Sequence, residues 1–176
     1  MENKQDIENQ IFERLNQRPE LHLFVQEAII LISQAIDKLM LKVFRKDDYA
    51  VKYAVEPLLT GNGPLGDLSV RLKLLFALGA ITRETYEDIE LFLALNDSLS
   101  HQELKLDYTD DEIIGSIKTL HCIGPLPEMM RFDQPEDMVD QQLMSLQKQR
   151  YQQMVKSSLV LSVADLIAQI LETDVF

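Results

Sequence analysis

At 176 residues, with 46% hydrophobic and 26% charged residues, the chain is long and apolar enough to pack one domain and too apolar to stay disordered. Its formal charge of −12 is uneven, because residues 1–88 hold 14 acids against 11 bases while residues 89–176 hold 15 against 6. Such a surface repels phosphate backbones and anionic headgroups, and the single cysteine, Cys122, excludes an internal disulfide, a cysteine-rich zinc site and an iron–sulfur cluster.

Helical spacing dominates from the first residues, and the pattern predicts an all-α, single-domain multi-helix bundle over 1–176. Ile7, Ile11 and Leu15 recur every four residues on a first helix, with Asp6 as its N-cap. Pro19 suits the first position of a second helix that runs to about Lys46. Its stripe of Phe24, Ala28, Leu31, Ala35, Leu39 and Val43 is widened by Ile29, Ile30, Ile32 and Ile36, the pattern of a central helix covered on most sides. Tyr49 to Glu56 reads as a short third helix stopped by Pro57.

Pro64 opens a fourth helix, and Gly79 fits the left-handed position just beyond its end. Thr82 caps a fifth, reaching about Leu99, with Tyr86, Ile89, Phe92 and Leu93 inward. Thr109 and Glu112 have capping-box spacing ahead of Ile113, Ile114, Ile117 and Leu120. Gly124, Pro125, Pro127 and Pro135 mark an internal linker at residues 121–134. A long C-terminal helical stretch follows to about Glu172. Its first half is polar with sparse apolar residues and reads as partly exposed or interfacial; its second half, from Leu159, reads as core.

The amino terminus is polar, and no uninterrupted apolar run is longer than that of Ala28–Ile32, so neither a signal peptide nor a membrane span is expected and the cytoplasm is the expected location.

On the fourth helix, Leu65, Leu68, Leu72, Leu75 and Phe76 share one face, and Arg71 falls between Leu75 and Leu78, inside the apolar arc and one turn from Asp67. A guanidinium there needs an anionic partner, which makes an Asp67–Arg71 pair either a structural tie or the base of a carboxylate site. Helix, Gly79 turn and helix also mimic a helix-turn-helix. The second member, however, carries Glu84, Glu87, Asp88, Glu90 and Asp97 against Arg83 alone, the wrong charge for reading DNA. A modest basic stripe, Lys38, Lys42, Arg45 and Lys46, is diluted by Asp37, Asp47 and Asp48 and reads as a solvated face. His22, His101 and His121 form no metal-binding array, and there is no phosphate-binding glycine loop; no metal and no cofactor are expected.

The run Gly63-Pro64-Leu65-Gly66-Asp67-Leu68-Ser69-Val70-Arg71-Leu72-Lys73-Leu74-Leu75-Phe76 resembles the signature of the mannitol operon repressor family. The likeness continues through Tyr86–Glu90 and returns near Lys156-Ser157. The resemblance implies a bacterial all-helical regulator of transcription that lacks a standard DNA-binding module. Its motif residues here are Gly63, Pro64, Gly66, Asp67 and Arg71. Implied partners are proteins of transcription or sugar-uptake regulation, with no direct DNA binding, no membrane association, and a homodimer left open.

More distant members often carry Arg-Asn-x-x-Ala-His at the end of the fifth helix, a pattern shared with HEPN-type ribonucleases. The aligned Asn96-Asp97-Ser98-Leu99-Ser100-His101 keeps only the histidine, which argues against phosphodiester chemistry. The resemblance also brings an alternative, a hydro-lyase of fumarase type. Both familiar fumarase frameworks are absent, so such an activity would need a new site, with Arg71 as dicarboxylate clamp and His101 or His121 as acid/base.

Overall fold

The computed structural model describes residues 4–44, 46–101, 105–128 and 138–175. Among them there are helices and no strands. The helices are α1 (Lys4–Asn16), α2 (Leu21–Val43), an irregular α3 over 48–59, α4 (Leu68–Ala77), α5 (Arg83–His101), α6 (Asp111–Ile117) and α7 (Met138–Glu172).

Helix α2 is the axis of the bundle, with α1, α4, α5 and α7 packed around it. Phe24, Ala28, Ile32, Ile36, Leu39 and Met40 are wholly buried along its length, as the broad apolar stripe requires. Leu72 and Leu75 of α4, Ile89 and Phe92 of α5, and Val155, Val163 and Leu166 of α7 complete one continuous core.

Several element boundaries differ from those expected. Lys4 already lies in α1, so Asp6 sits inside the first turn, where a carboxylate still favours the helix dipole. Helix α2 begins at Leu21, beyond Pro19, and ends at Val43, so Lys46 lies outside it. Pro57 does not stop α3. The chain passes through a π-helical turn, Val51–Val55, and continues as Glu56–Leu59. A wider turn accommodates a proline that has no N–H to donate and would crowd the carbonyl four residues back.

Helix α4 starts at Leu68, not Pro64. Asp67 is its N-cap and accepts from the Ser69 N–H at 2.7 Å. Residues 60–67 instead form a tight loop folded against the end of α3, where Leu65 donates to the Leu58 carbonyl at 2.9 Å. The backbones are so close that a Cβ on Gly63 would stand 2.3 Å from the Pro57 carbonyl oxygen, and one on Gly66 2.7 Å from that of Thr60.

Gly79 behaves as its position predicts. Its φ is 72°, and Ala80 and Gly79 donate to Leu75 and Phe76, closing a Schellman motif. Thr82 caps α5 through the Thr85 N–H. The expected Thr109–Glu112 box is not made: Asp110 holds the N-cap position of α6, and its carboxylate accepts from the Asp107 N–H, which closes the preceding turn.

Of the 121–134 linker, residues 121–128 are irregular; residues 129–134, like Pro135 and Arg45, lie outside the described residues. Helix α7 meets the length and hydropathy of a membrane-spanning segment over 140–172, which unbroken apolar runs did not reveal, but half of its most apolar window is buried against the bundle. That is the pattern of a core helix. From Asp140 to Arg150 every residue is exposed except the half-buried Met144, and burial begins at Tyr151.

Candidate functional site

Arg71 is held where its position inside the apolar arc implies, with its side chain 11% exposed. Its partner is not Asp67, which is occupied as a cap. The guanidinium reaches across to α2 and pairs with Asp37, while its Nε donates to the Leu65 carbonyl at 2.5 Å and its Nη2 to that of Gly66 at 2.9 Å. The sequence therefore places the charge correctly and misassigns the acceptor. Asp67 begins the helix whose first turn carries Arg71, and the two carbonyls come from the loop that Gly63 and Gly66 allow to fold back. Three structural acceptors occupy this guanidinium, which ties α2, α4 and the 60–67 loop together.

The two candidate histidines do not converge. His101 ends α5, 77% exposed, with its Nδ1 at 2.7 Å from the Asp97 carbonyl oxygen. His121 bonds Glu87 near the other end of α5, Nε2 to Oε2 at 2.8 Å. Fourteen residues of helix separate Glu87 from His101, about 21 Å along the axis. None of the clefts with Arg14, His22 or Arg150 in its wall is also lined by Arg71, His101 or His121.

Asp88 was counted from sequence among the outward charges of α5. It is instead 2% exposed, and its two oxygens accept from the backbone N–H groups of His121 and Cys122 at 2.8 and 3.0 Å. Burial and then the adjacent Asp88 push the Cys122 thiol far up, the opposite of an activated nucleophile. A period-3.6 reading contains the clue: Asp88 lies next to Ile89 and one turn before Phe92, on the inward arc. A second inward carboxylate, Glu27 of α2, is met by Arg14 at 2.6 Å and Arg18 at 3.2 Å. Both were missed because an acid within a hydrophobic stripe reads as an interruption until its donor, distant in sequence, is seen.

The basic stripe dissolves in the structure. Lys42 donates to the Leu171 and Thr173 carbonyls at 2.7 and 3.2 Å, closing the end of α7, and α2 stops before Lys46. Among the described residues no three His, Cys, Asp or Glu side chains gather as metal ligands.

What remains open to a partner is surface. The outer face of α5 keeps Glu84, Glu87, Glu90 and Asp97 against Arg83, and Arg83 is itself paired with Glu87 at 2.6 Å. On α7, Leu143, Leu146, Met154 and Leu161 are 52, 60, 47 and 62% exposed. A shallow cleft of about 710 Å³ lies along this helix, walled by Leu143, Leu146, Arg150 and several glutamines.

Fold and surface define an acidic, all-helical bundle with its charged core groups spent on structure and an apolar helix face left open. The chain belongs to the mannitol repressor family, whose description matches residues 7–171. It is 51% identical over 170 residues to the mannitol operon repressor of Escherichia coli (strain K12), covering 97% of this chain and 85% of that protein. The structure of the MtlR–HPr complex from Escherichia coli superposes with a TM-score of 0.87 at 50% identity, covering 94% of this chain and 98% of that one.

Two further relatives are more distant. Fumarase E of Escherichia coli (strain K12) is 29% identical over 164 residues, 93% of this chain and 96% of that protein. The structure of YggD from Shigella flexneri 2a, described as a possible transcriptional regulator, has a TM-score of 0.74 at 27% identity, covering 93% and 97%. Along the whole chain, identity is nearly twice as high with the repressor as with Fumarase E.

Proposed function

We propose that this chain is a cytoplasmic transcriptional regulator that acts by binding a protein partner of sugar-uptake control and not by contacting DNA itself. The observation that carries the reading is the 50% identity and near-complete overlap with a repressor whose structure is that of its complex with HPr. The acidic outer face of α5 supports it, since the one helical hairpin that imitates a DNA reader presents carboxylates where phosphates would lie.

The test pairs two measurements on the purified chain. Calorimetry should show saturable binding of HPr, and a gel-shift assay at moderate salt should show no retardation of promoter DNA. A tight, salt-sensitive DNA shift by the pure protein would overturn the reading.

A second reading, a hydro-lyase acting on fumarate or malate, is favoured by the 29% identity to Fumarase E. It would require Arg71 to exchange Asp37 for a substrate carboxylate. Fumarate consumption that disappears in Arg71→Lys and His121→Gln, both still folded, would support it; no consumption by the wild type removes it.

A further inference from the structure

The exposed stripe of α7 is unusual for a molecule of this charge. No Asp or Glu occurs between Asp140 and Asp165, although acids make up 29 of the 176 residues. At about 100° per residue, Leu143, Leu146, Arg150, Met154 and Leu161 lie within about 80° of one another. Their spacings of three, four, four and seven return them to one continuous face of the helix. The stripe is separate from the packed face of the same helix, where Tyr151, Val155, Leu159, Val163 and Leu166 are buried.

The stripe is close to neutral. Of the three bases between the two acids, only Arg150 lies on it; Lys148 is about 140° away from Leu143, and Lys156 turns to the Asn16 carbonyl of α1 at 3.3 Å. Glutamines and serines fill the rest. A face with a single cation and no carboxylate favours neither a strongly acidic nor a strongly basic partner. It is, however, the surface on which two copies of a −12 molecule can approach without setting carboxylates against each other.

We infer that this stripe is a homodimer interface in which α7 packs on α7 of a second copy, antiparallel about a twofold axis near residue 152. Two arguments set the direction. A parallel, in-register pair would lay Arg150 on Arg150 of the second copy, whereas the antiparallel pair lays the Arg150 stem along Met154 and leaves the guanidinium at the rim. The second half of α7 is also embedded in the acidic bundle, so the antiparallel arrangement puts the two bundles at opposite ends of the seam. The seam from Leu143 to Leu161 is about 27 Å long. Leu143 of each copy meets Leu161 of the other, an isologous contact that closes after two chains.

Light scattering on the purified full chain tests this. The expected mass is twice the 20.3 kDa of one chain, falling to one chain in Leu146→Glu and in Met154→Glu with helical content unchanged, since both side chains are exposed. Direction is read from cysteines introduced in a Cys122→Ser background. Mixing Leu143→Cys with Leu161→Cys should cross-link the two chains under mild oxidation, and neither variant should cross-link with itself.

A single-chain mass for the wild type at every soluble concentration overturns the inference. So does a dimer that both glutamate variants leave intact. Self-cross-linking of Leu143→Cys overturns the antiparallel arrangement. A monomeric wild type whose HPr binding is lost in Leu146→Glu would assign the stripe to that partner instead.

Discussion

Arg71 and His121 are the two candidate catalytic residues most firmly bound to a carboxylate, and their surroundings differ almost completely. Arg71 is nearly enclosed, with two of its three acceptors being main-chain carbonyls of a loop that cannot move without opening the end of α3. His121 meets Glu87 in solvent, and the neighbouring Asp88 holds the backbone, not the ring. A charge that is tied to main chain and excluded from water fixes architecture. One that is tied to a side chain in water can be released cheaply. Neither arrangement leaves a cationic or acid–base group facing an enclosed cleft.

Removing Arg71 should therefore produce the largest effect. Arg71→Ala leaves the Leu65 and Gly66 carbonyls without donors in a part-buried site, and a loss of about 3 kcal/mol in urea unfolding is expected. Asp37→Asn should cost less than about 1 kcal/mol, because Asp37 is half exposed and the carbonyl contacts survive. Equal losses in the two variants would mean that the ion pair, and not the carbonyl cradle, holds the loop.

Asp88 sharpens the comparison from the His121 side. In Asp88→Asn only one of the two backbone N–H groups keeps an acceptor, and the new amide presents a donor to the other. A loss of about 2 kcal/mol is expected, accompanied by faster amide exchange at His121 and Cys122. Unchanged exchange at these two positions would show that the 121–128 segment is held by its apolar contacts alone.

The fold was legible because apolar spacing repeats over long helices. The broad stripe of α2, the Gly79 stop and the Thr82 cap each follow from local chemistry. What local chemistry could not supply was choice between equivalent partners. Asp67 was available to Arg71 one turn away, yet its carboxylate does more as an N-cap, while Asp37, thirty-four residues back, lies opposite on α2. Asp110 displaced the Thr109–Glu112 box in the same way, by closing the preceding turn first. The burial of Asp88 and Glu27 was hard to read for a related reason: a buried carboxylate is permitted only by donors that the chain brings from elsewhere. The first half of α7 was legible as at least partly exposed, because sparse apolar residues among glutamines cannot bury a helix on both sides.

The smallest expected effect depends on pH, and its sign follows from the two partners. The hydrogen bond to Glu87 raises the His121 imidazolium above its ordinary 6.5. A group raised on folding stabilises the folded state fully below its unfolded value and loses that contribution as pH climbs through the folded one. Hydrogen bonds from Arg83 and then His121 hold the Glu87 carboxyl below its ordinary 4.5, so its contribution is present above that value and fades as pH falls through the lowered one. The His121–Glu87 tie is consequently strongest between about pH 4.5 and 6.5. His121→Gln should narrow the stability gap between pH 6 and pH 9, with the two proteins converging at the alkaline end. The increment is small because both side chains stand in water, where salt screens them, so raising the ionic strength should shrink it further. A gap that persists undiminished at pH 9 would mean that His121 contributes by packing, and the contrast with Arg71 would then be one of degree.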